Sequence, residues 1–133
     1  MSSDDDETLD HFQCDPLIET AGAQVAILRR LLPTYRGFKE QTRARFAAVM
    51  KRWCDGVSMP IEMFNWNEGR SADGIMIRAF KGFKIRLYGF ERTVSAKRTF
   101  LIVEIDPAKK QDKADPKVLS RAKKRADEIG KGK

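Results

Sequence analysis

Cationic and aromatic side chains alternate with apolar ones over residues 83–90, FKIRLYGF. Successive side chains of a strand point to opposite faces, so Lys84, Arg86 and Tyr88 are predicted to share one face. Phe83 begins the opposite, apolar face. Guanidinium and ammonium groups bind phosphate oxygens, so the pattern predicts the floor of a phosphate-binding groove. A solvated face of an ordinary sheet is the alternative interpretation.

Basic residues are concentrated in the body of the chain. The 133 residues have a net charge of +7, but all 26 lysines and arginines follow residue 28. Seven of the 19 acidic residues lie within the first 20 positions. A body this basic favours a polyanionic partner, either nucleic acid or an acidic protein.

The composition offers little for metal, redox or membrane chemistry. His11 is the one histidine, and Cys14 and Cys54 are too far apart for a Cys-x-x-Cys motif, so we expect no metal and no cofactor. Two cysteines fit a reducing compartment. No apolar run approaches the roughly 18 residues of a membrane span, and the acidic N-terminus is unlike a signal peptide. The expected location is the cytoplasm, with no membrane partner.

Two helices are predicted ahead of the strands. Asp15 and Pro16 have the residue types of a helix N-cap and first turn, and Pro33 ends the apolar pattern that follows. A second helix is predicted over residues 38–54, FKEQTRARFAAVMKRWC. Together they form a helical hairpin.

Strands and a last helix are predicted in the second half. IMIRAF, FKIRLYGF and TFLIVEI are rich in Ile, Val and Phe, and PIEMFNW is a shorter fourth candidate. The segment ADPKVLSRAKKRADEIG predicts a C-terminal helix that Asp115 caps and Gly130 ends.

The predicted fold class is therefore α+β. It combines an N-terminal helical hairpin, a small, mostly antiparallel twisted sheet of three to four strands, and a C-terminal helix. Residues 1–14 are expected to form an acidic, disordered tail, residues 15–130 a single domain, and residues 131–133 a disordered end.

The stretch IMIRAFKGFKIRLYGF, followed by FLIVEIDPAKKQDKADPKVLSRAKKRADEI, resembles the RelE/HigB superfamily, most closely its phage-derived Gp49-like branch. The resemblance covers about Leu31 to Ile129. It implies a RelE-like fold and the toxin of a type II toxin–antitoxin pair. Such a toxin cuts mRNA on the ribosome, by attack of the 2′-hydroxyl on the phosphodiester, and is neutralised by an antitoxin protein with an acidic segment.

The resemblance also implies roles for individual residues. It matches Arg86 to the strand arginine that contacts the scissile phosphate, with Lys84 as the other possibility, and Arg78 to the basic residue of the preceding strand. Tyr88 completes the predicted catalytic set on its residue type, as a candidate for proton transfer. The resemblance matches Lys109, Lys110 and Lys113 to the basic loop after the last strand, and Arg70 is a further predicted RNA-binding residue.

Alternative interpretations remain open for Glu104, for Trp66 and for the enzymatic activity. Tyr88, Lys84 and Glu104 are the candidates for proton transfer, but Glu104 could instead be paired with an arginine. Trp66 could stack on a base, although a tryptophan at a strand end is more often core, and we assign it there. The chain lacks the terminal histidine or tyrosine of several family members. The alternative function is therefore a non-catalytic, basic nucleic-acid-binding or phage accessory protein.

Overall fold

The computed structural model describes residues 7–107 and 115–130, which form six strands and three α-helices. The strands are β1 (Cys14–Glu19), β2 (Ala23–Leu28), β3 (Phe64–Asn65), β4 (Arg78–Gly82), β5 (Ile85–Val94) and β6 (Lys97–Asp106). The helices are α1 (Leu32–Arg36), α2 (Glu40–Cys54) and α3 (Pro116–Gly130), and a short 3₁₀ turn (Arg29–Leu31) precedes α1.

All six strands belong to one mixed sheet, in the order β1-β2-β6-β5-β4-β3. The pair β2–β6 is parallel and the other four pairs are antiparallel. The ten-residue strands β5 and β6 lie at the centre, where their Ile, Leu, Val and Phe residues are covered on both faces.

Helices α2 and α3 cover opposite faces of the sheet. Trp53 of α2 makes edge contacts with Phe80 and Phe100, at ring-centroid distances of 6.3 and 5.7 Å. Helix α3 packs through small residues and makes its ion pairs with Glu104. Phe100 lies opposite Glu91 on β5, whereas Glu104 lies opposite Tyr88. Glu91 and Tyr88 are three residues apart on β5, and an odd separation in a strand places side chains on opposite faces. The two helices therefore contact opposite faces of the sheet.

The predicted RelE-like layout is wrong. The chain begins with the hairpin β1–β2 where a helix was expected, and the sheet has six strands of mixed direction instead of three to four. The apolar spacing of residues 17–32 fits a helix, but AQVAIL is apolar at nearly every position and also fits a buried strand. Residues of β2 pair with residues of β6 that lie 75 positions further along the chain, and every residue of β2 is buried. This pairing selects the strand over the helix.

The packed domain includes residues that the sequence assigned to the acidic tail. Phe12 and Cys14 are buried, and the Arg29 backbone N–H donates a hydrogen bond of 2.9 Å to the Gln13 carbonyl. Glu7 pairs with Arg92 at 2.7 Å. Residues 1–6 and the predicted end at 131–133 lie outside the described residues. Within the described ranges, no helix is long and apolar enough to cross a bilayer.

Candidate functional site

A strained two-residue turn joins β4 and β5. Gly82 pairs with Ile85, so the turn consists of Phe83 and Lys84, with φ of 51° and 67°. Both values are left-handed, as in a type I′ turn, where Asn-Gly is the favoured sequence. This conformation costs a non-glycine residue roughly 1–2 kcal/mol, and such strain is concentrated at functional positions. The turn presents Phe83 to solvent, with 48% of the residue exposed.

Phe83 stands between two depressions, which together we name the Phe83 groove. One, of about 230 Å³, includes in its lining Arg45, Glu62, Lys81, Lys84 and Arg86. The other, of about 580 Å³, includes Phe38, Lys39, Gln41 and Pro107. The N-terminal half of α2 and the β4–β5 hairpin position these side chains. The groove therefore combines an exposed aromatic ring with cations on both sides.

The electrostatic balance of the groove is positive. The guanidinium carbon of Arg45 lies 5.7 Å from the Phe83 ring centroid, within range of a cation–π interaction. Among the described residues, Arg45 and Lys39 have no carboxylate within salt-bridge distance. Arg86 pairs with Glu68 at 3.0 Å. Of the described residues in the lining, Glu62 is the one acidic side chain.

Lys84 and Arg86 are the predicted catalytic residues that line the groove. Arg86 belongs to strand β5, as predicted, and pairs in the sheet with Lys81 of β4 and Asp106 of β6. Lys84 does not belong to the strand, because the turn occupies its position. Phe83 likewise points to solvent and not into the apolar face where the alternation predicted it.

Tyr88 is buried and cannot reach a ligand in the groove. It shares a face with Arg86, as predicted, but that face is the one α3 covers. Its hydroxyl has no hydrogen-bond partner within the described part of the chain. Burial raises the pKa of the Tyr88 phenol, and the nearby Glu68 carboxylate raises it further. A phenol held neutral in this way is a poor general base.

Arg78 lies on the other face of the sheet from Arg86. It pairs in the sheet with Gly89, three residues along β5 from Arg86, and an odd separation places the two arginines on opposite faces. Its guanidinium is paired with Glu91 and donates to the Trp66 carbonyl at 3.1 Å. A phosphate clamp made by Arg78 and Arg86 therefore does not form.

Glu104 is engaged in ion pairs and does not line the groove. It contacts Arg121 at 2.9 Å and Arg125 at 3.0 Å, both from α3. The ion-pair alternative is thus the one found, with partners on a helix and not on a strand. Each carboxylate oxygen is paired with a guanidinium group of α3, so neither oxygen is directed towards a ligand in the groove.

The predicted RNA-binding residues fall into two groups. Arg70 is exposed in the loop before β4, where it donates to the Gly74 carbonyl at 2.7 Å, and it does not line the groove. Lys109, Lys110 and Lys113 lie outside the described residues. Pro107, from which that segment starts, lines the groove.

Sequence reasoning missed four groove residues, Phe83, Arg45, Lys39 and Lys81. Phe83 was missed because no Asn-Gly or Asp-Gly marks the turn, and KGFK fits a continuous strand pattern equally well. Arg45 and Lys39 come from the start of α2, some forty residues away in sequence, and only packing of α2 on β4 brings them to Phe83. The alternation of Lys81 with Phe80 and Gly82 was the available signal.

In the described ranges, no group of three or more His, Cys, Asp or Glu side chains is placed to hold a metal ion. Comparison with protein-family models, with curated proteins and with solved structures found no match for this chain. The functional conclusion therefore depends on the geometry of the groove.

Proposed function

We propose that this protein binds nucleic acid in the Phe83 groove without cleaving it. The cations of the groove contact phosphate oxygens, and the ring of Phe83 stacks on a base. The observation that favours this function is an exposed phenyl ring, on a strained turn, with Arg45 and Lys84 beside it. Base–aromatic stacking and a positive groove are the two components of sequence-tolerant nucleic-acid binding.

Only one of the predicted proton-transfer groups lines the described part of the groove, which favours binding without cleavage. Cleavage by a 2′-hydroxyl needs a group that removes its proton and another that protonates the leaving oxygen, each worth about 10²–10⁴-fold in rate. Of the three predicted candidates, Tyr88 is buried and Glu104 is paired with α3. Lys84 alone of these three lines the groove.

The test is a binding titration with matched double variants. Fluorescence anisotropy would follow a labelled oligonucleotide of roughly 12 nucleotides, within the usual site size for such proteins. We expect Arg45→Ala with Lys84→Ala to weaken binding about tenfold or more and to reduce the salt dependence, because two phosphate contacts are lost. The control removes the same charge from the exposed surface of α3, with Lys117→Ala and Lys124→Ala.

Two results would contradict the proposal. One is that wild-type protein binds no oligonucleotide at moderate salt. The other is equal weakening in both double variants, since that would assign binding to general surface charge. Circular dichroism of each variant establishes that the fold is retained.

An mRNA endoribonuclease is the second candidate, and one observation favours it. Lys84 and Arg86, the residues that the resemblance matches to the phosphate contact, both line the groove. Mapping of mRNA 5′ ends after brief induction in a bacterial host distinguishes the two functions. New ends that appear on induction of wild type and disappear in the folded Lys84→Ala, Arg86→Ala variant would favour the nuclease. If induction of wild type produces no new ends, binding alone is favoured.

A further inference from the structure

Trp66 provides a second exposed aromatic surface outside the groove. The residue is 54% exposed, so its predicted place in the core is wrong. The ring makes an edge contact with Phe64 at 5.1 Å, and the guanidinium of Arg78 lies 5.0 Å from the indole centroid. Arg78 is itself held by Glu91 and by the Trp66 carbonyl. The indole is thus fixed in position with much of its surface open to solvent.

Trp66 and Phe83 lie at opposite ends of β4, along the same edge of the sheet. The antiparallel pairs Phe64–Phe80 and Asn65–Ala79 bring Trp66 beside Arg78, the first residue of β4. Phe83 follows the last residue of that strand. The five residue-to-residue steps from Arg78 to Phe83 correspond to about 16 Å along the backbone. Strands β4 and β3 are the last two of the sheet, so no further described strand covers this edge.

We propose that the ligand is a single-stranded nucleic acid that crosses this edge and stacks one base on Phe83 and another on Trp66. This rests on the nucleic-acid binding proposed above and specifies its substrate. Bases of a duplex are stacked on one another, so only unpaired bases offer their faces to an aromatic side chain. Lys81 pairs with Arg86 in the sheet and therefore points to the face opposite Arg78 and Trp66, so the bridging phosphates are contacted from the Phe83 end, by Arg45 and Lys84.

The length of β4 between the two ends of the site predicts an approximate minimum ligand length. At the 3.4 Å rise of a stacked strand, 16 Å corresponds to about five nucleotides, and a more extended strand needs fewer. A dinucleotide can therefore occupy one ring only. Affinity is expected to rise steeply between about two and six nucleotides and much less from six to twelve, apart from added phosphate contacts.

The experiment uses tryptophan fluorescence and anisotropy together. Trp53 is 3% exposed and Trp66 is the other tryptophan of the chain, so quenching by added oligomers reports on Trp66. Uridine and thymidine oligomers of increasing length and a matched duplex are titrated into the full chain. The RNA and DNA arms identify which sugar the bound strand carries.

Four variants separate stacking from general effects. Trp66→Ala and Phe83→Ala are each expected to weaken binding of a long oligomer by about fivefold or more, the range of one lost stack. Trp66→Phe keeps a ring, so it should retain most of the affinity while the quenching disappears. Val57→Ala removes another exposed apolar side chain and should change neither signal.

The possible failures are distinguishable. If Phe83→Ala weakens binding but Trp66→Ala does not, the two-ring site is wrong and the Phe83 groove stands. If the duplex binds as tightly as the single strand, base stacking on either ring is wrong, and phosphate contact alone accounts for binding. If no oligomer binds wild-type protein, the proposed function itself fails. Quenching with a step in affinity between two and six nucleotides, lost in both alanine variants, supports the inference.

Discussion

Solvent exposure decides which side chains of this protein can contact a ligand. Arg86 and Tyr88 share one face of β5, yet Arg86 lines the Phe83 groove while Tyr88 is fully buried. Phe83 has the residue type of a core position and is exposed, because the turn at positive φ directs it away from the sheet. Residue type alone therefore assigned neither side chain to its role.

Replacement of Tyr88 by Phe tests the conclusion that its hydroxyl has no function. The hydroxyl is buried without a partner among the described residues, and burying an unpaired hydroxyl costs about 1–3 kcal/mol. We expect Tyr88→Phe to raise the free energy of unfolding by about 1 kcal/mol and to leave nucleic-acid affinity unchanged. Urea unfolding measures the first and anisotropy the second. A clear loss of stability would indicate a bound water that satisfies the hydroxyl.

The buried thiol of Cys14 predicts a loss of stability at alkaline pH. Burial raises its pKa from the model-peptide value of 9.0 to about 12, with Arg29 lowering it in part. The unfolded chain then releases this proton at lower pH than the folded chain. The stabilisation is complete below about pH 9 and is lost as the pH rises from 9 towards 12, by up to about 1.4 kcal/mol per pH unit.

Urea unfolding under reducing conditions at several pH values between about 8 and 11 checks this dependence. Cys14→Ala is expected to lose less stability over that interval than wild type does. Burial also raises the pKa values of Cys54, Tyr35 and Tyr88, which contribute to the alkaline dependence that remains. Identical pH dependence in wild type and Cys14→Ala would contradict the assignment.

At the scale of elements, tight turns fix the central strands. β5 and β6 are joined by Ser95 and Ala96, with φ of 52° and 64°, a second left-handed pair like that at Phe83 and Lys84. The two turns close both ends of β5. They set the register that places Arg86 at one end of the strand and Arg92 near the other.

The same substitution should have opposite effects in this turn and in a helix. Ala96→Gly removes left-handed strain and is expected to raise the free energy of unfolding by about 0.5–1 kcal/mol. Ala47→Gly, at an exposed position inside α2, is expected to lower it by about 1 kcal/mol. Chemical denaturation measures both. Destabilisation by both variants would mean that Ala96 does not have the left-handed conformation.

At the scale of the whole molecule, the charge is divided between an acidic start and a basic body. Glu7 is held at the β5–β6 turn by its ion pair with Arg92 and by the Ser95 backbone N–H. The Phe83 groove lies at the other end of β5, about 30 Å away along a ten-residue strand. Six residues can span at most about 22 Å.

Deletion of residues 1–6 should therefore leave groove binding nearly unchanged at physiological salt, within about twofold. The Debye length there is about 8 Å, so charges beyond that distance are largely screened. Anisotropy titrations of the deletion and of wild type, at low and at physiological salt, measure the effect. A tightening of about tenfold at physiological salt would show that the acidic residues compete with the ligand.

Local sequence patterns were sufficient to predict two helices, the last three strands and the excess of positive charge. FKEQTRARFAAVMKRWC and the segment after Pro116 form α2 and α3, because charged residues and an apolar stripe at helical spacing occur together there. The β-branched segments IMIRAF, FKIRLYGF and TFLIVEI give rise to the last three strands. The excess of positive charge after residue 28 can be read from the sequence without a structure. The expectation of a polyanionic partner follows from that charge.

Long-range packing decided the rest. Residues 14–28 are apolar enough for a helix or a buried strand, and pairing of β2 with β6 selects the strand. Alternation in β5 correctly grouped Arg86 with Tyr88, but it could not tell that α3 covers Tyr88 or that α2 brings Arg45 to Phe83. Local periodicity specifies which side chains share a face. Whether that face is covered, and by which distant charges it is lined, depends on contacts that no short stretch of sequence contains.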